Sequence, residues 1–463
     1  MFSVIPLLSG AVKTLNITFR SKEFAQEILK QYDMPKSSLE QVMKLLEEDM
    51  DNGLSADPKA RENSPIKMLP TYVRRMPDGS ESGDFLALDL GGTNFRVLLV
   101  QVLNGKVHME SEIFPLDQTL MTSDSITLFD YIADCITLFV KKKSLQDKTL
   151  PLGFTFSFPV QQLSLTSGLL IRWTKGFSAG GVEGEDVVRL LKDALHRKNS
   201  HSVDVVALVN DTTGTMMACG FDDRNVIAGL ILGTGTNACY MESLDNVKKW
   251  NEERGCSNEV IINTEWGAFG DSGVLNWIIT EHDKKIDVES INPGQQVFEK
   301  MISGMYLGEL ARHICMDLIH RGLLLNGIAS NKLKTKGSFL TKFVSDIESG
   351  DENKLQQVLK ELDVKATARD QEILRHICTA VSKRAARLAS AGLATIVKKT
   401  KAYNSTIAID GTLFKKHPKF KPYMQEALKE LLPDSHLKLM LSEDGSGKGA
   451  ALIAAVAAHT KSH

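Results

Sequence analysis

The chain has 463 residues, of which 43% are hydrophobic and 24% are charged, and its formal net charge is -2. A chain of this length exceeds what one hydrophobic core usually serves, so we expect two domains. The nearly balanced charge gives no basis for nucleic-acid binding or for general attraction to an anionic membrane. No segment approaches the roughly 20 consecutive apolar residues that span a bilayer. Composition therefore predicts a soluble globular protein.

The six cysteines lie far apart in the sequence and form no CxxC pair. This spacing suggests neither a zinc site nor a small disulfide framework. Free thiols in a reducing cytosol fit the pattern better, so we expect a cytoplasmic protein.

The first residues, "MFSVIPLLSGAVK", are apolar ahead of the first charge and lack the basic region of a secretory signal. Two interpretations of residues 1–12 stay open: a short anchor on a membrane surface, or an ordinary packed arm or frayed end.

The first 75 residues are predicted to be helical, with a capping box formed by Ser37 and Glu40. Runs rich in β-branched residues then predict strands that form two α/β halves. These runs are 85–90, 95–102, 152–156, 205–209, 226–232, 260–263, 407–410 and 437–441. Long helices are predicted at 295–321 and 371–400, and a buried alanine-rich helix near the end. Segments 56–66 and 349–370 read as linkers.

Two stretches share one pattern of strand, glycine-rich turn and strand: "LALDLGGTNFRVLLV" at 86–100 and "VIAGLILGTGTNACYME" at 226–242. Both carry Thr-Asn just after the glycines, which is a weak internal repeat. Glycine turns let backbone N–H groups approach an anion, so the pair could hold one polyphosphate from two sides. Neither stretch is a Walker loop or a dinucleotide fingerprint. Two ordinary β-hairpins are the alternative.

Asp89 favours the phosphate interpretation over the hairpin one. A carboxylate at the end of an apolar strand would be desolvated and would repel phosphate unless a cation lay between them. Mg²⁺ keeps several waters and needs few protein carboxylates, so Asp89 is a candidate metal ligand, directly or through water. Further glycine loops occur at 407–415 and 442–452.

Several motifs together carry a resemblance to a known family. They include "FLALDLGGTNFRVLLV", "LGFTFSFP", "WTKGF", "VNDTTGTMM", "GTGTNACYME", "NTEWGAFGD", "IAIDGTLFKKHP" and "LSEDGSGKGAAL". In this order, from about residue 66 to 456, they resemble the eukaryotic hexokinase and glucokinase family. The resemblance implies the α/β actin-like ATPase (ribonuclease H-like) fold, with two lobes around a central cleft that close over sugar and ATP. It also explains the repeat, because that fold has two similar halves.

The implied domains are a helical arm at 1–75 packed with the large domain, a small α/β domain at 76–208 completed by a C-terminal helix at 445–463, and a large α/β domain at 209–444. The implied unit is a single catalytic unit, with a monomer as the default. Its implied location is the cytoplasm, with weak contact of the apolar N-terminus to the mitochondrial outer surface as the alternative.

The implied reaction is ATP-dependent phosphorylation of the 6-hydroxyl of glucose and related hexoses, giving hexose 6-phosphate and ADP, the first step of glycolysis, with Mg²⁺. A neutral hydroxyl needs a proton acceptor, and Asp211 resembles the family's catalytic aspartate. Taken alone, Asn210-Asp211 after a strand also reads as a turn or a helix cap. Lys175 is the implied phosphate contact.

The resemblance implies two sets of binding residues. The sugar set is Ser157, Thr174, Lys175, Asn210, Asp211, Asn237, Glu265, Gln296 and Glu299. The nucleotide set is Asp89, Gly91, Gly92, Thr93, Asn94, Arg96, Gly233, Thr234, Thr335, Ser338, Gly411, Thr412 and Ser446.

Sugar preference, cooperativity and inhibition by glucose 6-phosphate stay open. Two other functions also remain: a catalytically silent glucose sensor on the same scaffold, and a nucleotide-switched actin-like ATPase. No residue of the sites is missing, which weighs against the sensor, and the sugar motifs weigh against the ATPase.

Overall fold

A computed structural model describes residues 23–91, 94–173, 176–255 and 257–461. Thirteen strands are numbered in chain order within these residues. They are β1 (Leu69–Pro70), β2 (Gly83–Leu90), β3 (Asn94–Leu103), β4 (Lys106–Pro115), β5 (Leu150–Phe156), β6 (Val160–Ser164), β7 (Ser167–Leu170), β8 (Val203–Val209), β9 (Val226–Leu232), β10 (Thr236–Ser243), β11 (Glu259–Asn263), β12 (Asn404–Asp410) and β13 (His436–Leu441).

The α-helices of the same residues are likewise numbered in chain order. They are α1 (Lys36–Leu54), α2 (Pro58–Asn63), α3 (Gln118–Met121), α4 (Ser125–Lys142), α5 (Val187–Arg197), α6 (Asp211–Asp222), α7 (Glu281–Glu289), α8 (Val297–Ile302), α9 (Gly304–His320), α10 (Asn331–Lys334), α11 (Thr341–Glu348), α12 (Glu352–Glu361), α13 (Ala368–Thr400), α14 (Thr412–Lys416), α15 (Phe420–Leu431) and α16 (Gly445–Lys461).

Two sheets repeat one topology. The five-stranded sheet has the order β4-β3-β2-β5-β8, and the six-stranded sheet has β11-β10-β9-β12-β13 with β1 added at the β11 edge. In each order of five strands, the first three pair antiparallel. The third strand then pairs parallel with the fourth, and the fourth with the fifth. The glycine turns join β2 to β3 and β9 to β10. The weak repeat seen in the sequence is therefore a repeat of strand order.

Three hydrophobic cores follow from the period-2 alternation of side chains along the strands. Leu86, Leu88 and Leu90 of β2 face a core shared with α4 and α5, whereas Phe85 and Ala87 face the opposite side. A larger core on the outer face of the six-stranded sheet includes α1, α9 and the 33-residue helix α13. The third core lies between the sheets and contains α6 and α16.

Glycines allow α6 and α16 to approach at backbone distance. A Cβ added to Gly449 would lie 1.9 Å from the carbonyl oxygen of Gly214, and one added to Gly214 would lie 3.1 Å from the carbonyl oxygen of Gly445. The starts of the two helices, which follow β8 and β13, therefore lie side by side at the carboxyl edges of the two sheets.

Several sequence predictions need correction. The Ser37–Glu40 capping box does not form, because α1 begins after Pro35 with no side-chain cap. Segment 56–66 is not a linker, since it contains α2 and the buried Ile66. Segment 349–370 contains α12, which buries Leu355, Val358 and Leu359. The helix expected over 295–321 is two helices, α8 and α9, separated at Ser303.

Strand β4 was missed because its sequence, "KVHMESEIFP", is rich in charge. It lies at the edge of its sheet, where one side faces solvent and charged side chains are tolerated.

The cysteines within the described residues form no disulfide. Cys135, Cys219, Cys239, Cys315 and Cys378 are free and buried, and Cys256 lies outside the described residues. Among the described helices, none combines the length and apolar character that crossing a membrane requires. Residues 1–12, with their two open interpretations, also lie outside the described part of the chain.

Candidate active site

The amino end of α6 presents two polar side chains at the carboxyl edge of the five-stranded sheet. Asn210 caps the helix, because its Oδ1 accepts hydrogen bonds from the backbone N–H (3.0 Å) and the hydroxyl (2.6 Å) of Thr212. Asp211 is the first residue of α6, and its Oδ1 accepts from the same N–H at 2.9 Å. Both side chains are half-buried. The cap expected at this position is thus made chiefly by Asn210.

A cluster of amide and carboxyl groups lies where β10 and β11 meet. The Nδ2 of Asn237 donates to Oδ1 of Asn263 (2.8 Å) and to Oε1 of Glu265 (3.1 Å). The Nδ2 of Asn263 donates to the same Oε1 at 2.7 Å. Asn263 was not among the predicted site residues, because an asparagine at a strand end gives no signal of its own.

Glu265 combines an unusual backbone with an unfavourable electrostatic environment. Its φ of 55° is in the left-handed region, which a non-glycine residue adopts uncommonly. Burial raises the pKa of Glu265, and the negative charges of Asp211 and Glu299 raise it further, whereas the hydrogen bonds from Asn263 and Asn237 lower it. The structure therefore brings Asp211 and Glu299 within electrostatic reach of Glu265.

Glu299 and Gln296 complete this side of the cleft. Oε2 of Glu299 accepts from the backbone N–H of Thr236 at 3.0 Å, and a Cβ on Gly235 would lie 2.5 Å from that oxygen. A Cβ on Gly267 would lie 2.3 Å from Oε1 of Gln296. Two glycines thus leave room for the two predicted side chains.

Asp271 holds the start of α8, since its carboxylate accepts from the N–H groups of Gln296 (3.1 Å) and Val297 (2.9 Å). Sequence reasoning missed it, although it ends the quoted "NTEWGAFGD" motif.

The five-stranded half contributes the opposite wall. A cavity is lined by Phe156 and Phe158 on one side and by Asn210, Asn263 and Glu265 on the other. Ser157 lies between the two phenylalanines, and its N–H donates to the carbonyl of Leu90 at 3.1 Å. The cavity therefore joins both halves of the molecule.

Thr174 and Lys175, predicted to contact sugar and phosphate, lie outside the described residues. On either side of them, Trp173 and Phe177 stack with ring centroids 5.1 Å apart, and both rings contact Phe158. Trp173 and Phe177 therefore pack on the cavity wall that contains Phe158.

The first predicted phosphate turn follows β2. Oδ2 of Asp89 accepts from the Ser446 hydroxyl (2.7 Å) and from the Arg96 guanidinium (3.0 Å), and Arg96 also donates to Asp444. Gly91 and Asn94 flank the turn, while Gly92 and Thr93 lie outside the described residues. Arg96 is thus paired with two acids, and Asp444 is a member of the group that sequence reasoning missed.

The second predicted phosphate turn packs against the start of α9 and against Gly411, which precedes α14. The N–H groups of Gly304 and Met305 donate to the carbonyls of Gly233 (2.8 Å) and Thr234 (3.1 Å). Gly411 has a φ of 122°, and a Cβ there would lie 2.1 Å from the carbonyl oxygen of Leu232. The start of α14 therefore needs glycine at this position. Thr234 and Thr412 are exposed beside the turn.

The segment with Thr335 and Ser338 reaches the same region through α9. Thr341, just beyond that segment, donates through its hydroxyl to the carbonyl of Gly304 at 2.5 Å. The Ser338 hydroxyl is buried and has no hydrogen-bond partner among the described residues. Thr335 is exposed, and its hydroxyl donates to the carbonyl of Asn331.

Comparisons with family models and with curated sequences show which proteins this chain is similar to. Two models described as Hexokinase match residues 24–221 and 227–456. Hexokinase-2 of Homo sapiens is 50% identical over 443 residues, which is 93% of this chain and 48% of that protein. Hexokinase-1 of Homo sapiens is 46% identical over 461 residues, 96% of this chain and 50% of that protein. The chain spans about half the length of these curated relatives.

Solved structures agree in fold. A hexokinase from Schistosoma mansoni complexed with glucose superimposes with a TM-score of 0.85 at 42% identity, covering 95% of this chain and 99% of that one. Another solved hexokinase has a TM-score of 0.83 at 30% identity, covering 95% of this chain and 100% of that one. The predicted actin-like fold, in its sugar-kinase form, is confirmed, and the chain belongs to the hexokinase family.

Proposed function

We propose that this chain phosphorylates the 6-hydroxyl of glucose and related hexoses with MgATP, giving hexose 6-phosphate and ADP. The observation that carries the proposal is that Asn210, at the start of α6, lines one cavity with Asn263 and Glu265 of the polar cluster, while the neighbouring Asp211 acts electrostatically on Glu265. The glucose complex of the Schistosoma mansoni relative, which has the same fold, supports this substrate class.

The polar cluster suits a sugar. A hexose presents several hydroxyls, and each buried polar group that a wrong ligand leaves unpaired costs roughly 1–3 kcal/mol. Asn210, Asn237, Glu265 and Glu299 together offer both donors and acceptors. Ser157, Thr174 and Gln296 belong to the same proposed site.

Asp211 is the proposed proton acceptor, and Lys175 the proposed partner of the phosphate in transit. A carboxylate that takes the hydroxyl proton makes the sugar oxygen a better nucleophile toward the terminal phosphorus of ATP. Closure of the two lobes would exclude water, which otherwise competes with sugar for the phosphoryl group.

The nucleotide is proposed to lie between the two glycine turns. Backbone N–H groups at 91–94 and 233–234 would bind its phosphates. The Ser338 hydroxyl, which has no partner among the described residues, would donate to another part of the nucleotide. Thr335, Gly411, Thr412 and Ser446 are proposed to surround the rest of the nucleotide.

Mg²⁺ is the proposed metal, bound near Asp89 through water. The residues present fit it, because Asp89, Asp444 and the Ser446 hydroxyl offer the oxygen ligands that Mg²⁺ prefers. When bound, Mg²⁺ would neutralise charge on the phosphates. Arg96 supplies a positive charge between the two acids.

A coupled assay of ADP release, with and without glucose, tests the function. Sugar-dependent ADP is expected, whereas sugar-independent ADP would indicate the nucleotide-switched ATPase and no ADP would indicate the silent sensor. Asp211→Asn should lower kcat by about 10²–10⁴-fold while glucose still binds. Asp222→Asn, at the other end of α6 where the carboxylate pairs with Lys448, is the control and should leave kcat unchanged. Near-normal turnover in Asp211→Asn would remove Asp211 from its role.

We also propose that the chain acts as a one-site monomer in the cytoplasm and that glucose 6-phosphate inhibits it by placing its phosphate at the 91–93 turn. Sedimentation analysis tests the first point, and initial rates with added product test the second. Contact of residues 1–12 with the mitochondrial outer surface is the alternative location, and cosedimentation with outer-membrane vesicles distinguishes it.

A further inference from the structure

Asn263 lies at the end of β11 and is only 6% exposed. Its backbone pairs with Cys239 of β10 and with Leu69 of β1, so neighbouring strands hold it on both sides. Its side chain also lines the cavity that contains Asn210 and Glu265. A buried amide in such a position needs hydrogen-bond partners, and it finds them within the cluster.

The two ends of the Asn263 amide have different partners. Its Oδ1 accepts from Asn237 at 2.8 Å, and its Nδ2 donates to Glu265 at 2.7 Å. Because an amide oxygen accepts and an amide nitrogen donates, this arrangement determines which way the group points. Asn237 is oriented in turn, since its own Oδ1 accepts from the N–H of Ala238 at 2.8 Å.

We propose that Asn263 is a positioning residue of the sugar site. Asn263 orients the Asn237 side chain and keeps Glu265 as an ionised acceptor for sugar hydroxyls. The inference rests on the proposed function, because it assigns a role within the same sugar site. Asn263 acts through its two neighbours.

Electrostatics support this role. Burial opposes ionisation of Glu265, and its acidic neighbours Asp211 of α6 and Glu299 of α8 oppose it further. Among the groups that lower the pKa of Glu265, Asn263 acts most strongly, followed by Asn237. Removal of the Asn263 donor should therefore raise the pKa of Glu265. The acceptor would then be lost at a higher pH than in the unchanged protein.

Asn263→Ala removes both hydrogen bonds. Because a hydrogen bond to a charged group contributes strongly to binding, its loss should raise the KM for glucose about 10- to 100-fold. The KM for ATP should change less than about 2-fold. The acid limb of the kcat/KM profile for glucose should move to higher pH. Asn258→Ala is the matched control, because Asn258 also bridges toward β10 but lies exposed at the far end of the strand pair. It should leave every constant unchanged.

Asn263→Asp gives a second readout that a merely structural role would not produce. It keeps the shape of the side chain and the acceptor for Asn237 but places a carboxylate against Glu265. At pH 8 the two acids repel each other, whereas at pH 6 a proton bound between them restores the lost donor. The glucose KM of this variant, relative to the unchanged protein, should therefore fall from pH 8 to pH 6, opposite to the trend of Asn263→Ala.

Direct titration with glucose, without ATP, separates this inference from the proposed function. If the unchanged protein releases no sugar-dependent ADP, the proposed function fails, whatever the variants do. If the unchanged protein is active, and if Asn263→Ala folds and binds glucose with unchanged affinity, only the inference fails. Equal losses for glucose and ATP, or parallel pH trends in the two variants, would also overturn it. Should Asn263→Ala not fold, the pH trend of Asn263→Asp decides alone.

Discussion

Glu265 has an ionisable carboxyl group in surroundings that disfavour its negative charge. Its pKa is raised by burial and by Asp211 and Glu299. A carboxyl whose pKa is raised in the folded state favours folding when it is protonated. Stability is therefore lost as pH rises from the ordinary glutamate range through the folded-state pKa.

Glu265→Gln should accordingly raise the melting temperature at pH 7, while it weakens glucose binding. The difference in melting temperature should vanish below the ordinary glutamate pKa, where both side chains are neutral. Thermal melts between pH 4 and pH 8 measure this. Glu252→Gln, an exposed acid, is the control, and a lower melting temperature for Glu265→Gln at pH 7 would contradict the argument.

Asp89 gives a second prediction at the residue scale. Asp89→Asn should raise the Mg²⁺ concentration that gives half-maximal activity by roughly 10- to 100-fold, as loss of an outer-sphere metal partner typically does. Glucose affinity should not change, because Asp89 is hydrogen-bonded to Arg96 and Ser446, neither of which belongs to the proposed sugar set. Asp84→Asn is the matched control, since Asp84 lies at the opposite end of β2 and pairs with Lys148. An unchanged Mg²⁺ requirement in Asp89→Asn would exclude Asp89 from the metal site.

At the element scale, the packing of α6 on α16 positions the proposed base. Gly449→Ala would place a methyl group 1.9 Å from the Gly214 carbonyl oxygen, so the helices must separate. Overpacking of this kind costs about 1–3 kcal/mol, and we expect a lower urea midpoint together with a lower kcat. Ala457→Val adds volume on the same helix at a half-exposed position and should be nearly neutral. Wild-type stability in Gly449→Ala would show that the contact yields easily.

At the scale of the whole molecule, the two sheets meet through a core built around α6 and α16. The outer cores are separate, and we therefore expect the two halves to rotate about this central core. We propose the domain limits 1–75, 76–208 with 445–463, and 209–444, which limited proteolysis tests. The pairing of β1 with β11 and the packing of α1 in the α13 core support an arm joined to the large domain.

Glucose should close the cleft. We expect a smaller radius of gyration in X-ray scattering when glucose is added, because the sugar would bind residues of both halves. Glu299→Gln should show little change at the same glucose concentration, whereas Asp89→Asn should close normally. An equal radius with and without glucose would contradict closure as the response to sugar.

Much of the fold follows from local pattern. The eight predicted strands and α16 appear in the sequence as apolar alternation and an alanine-rich run, and the structure contains all of them. The missed elements include strands β1, β4, β6 and β7 and helices α2 and α12, because short strands, a charged edge strand and short polar helices lack those patterns. Of the site, Asp211, Glu265 and the turns lie in motifs that stand out in sequence.

Local sequence pattern was enough to predict the repeated α/β pattern, the motifs of the family and the identity of most proposed site residues. The folded structure alone shows that Asn263 is hydrogen-bonded to Asn237 and Glu265, that Asp444 and Asp89 both pair with Arg96, and that Asp271 accepts hydrogen bonds at the start of α8. The physical reason is that these groups act through hydrogen bonds and charges between segments far apart in the chain, and such distances exist only after folding.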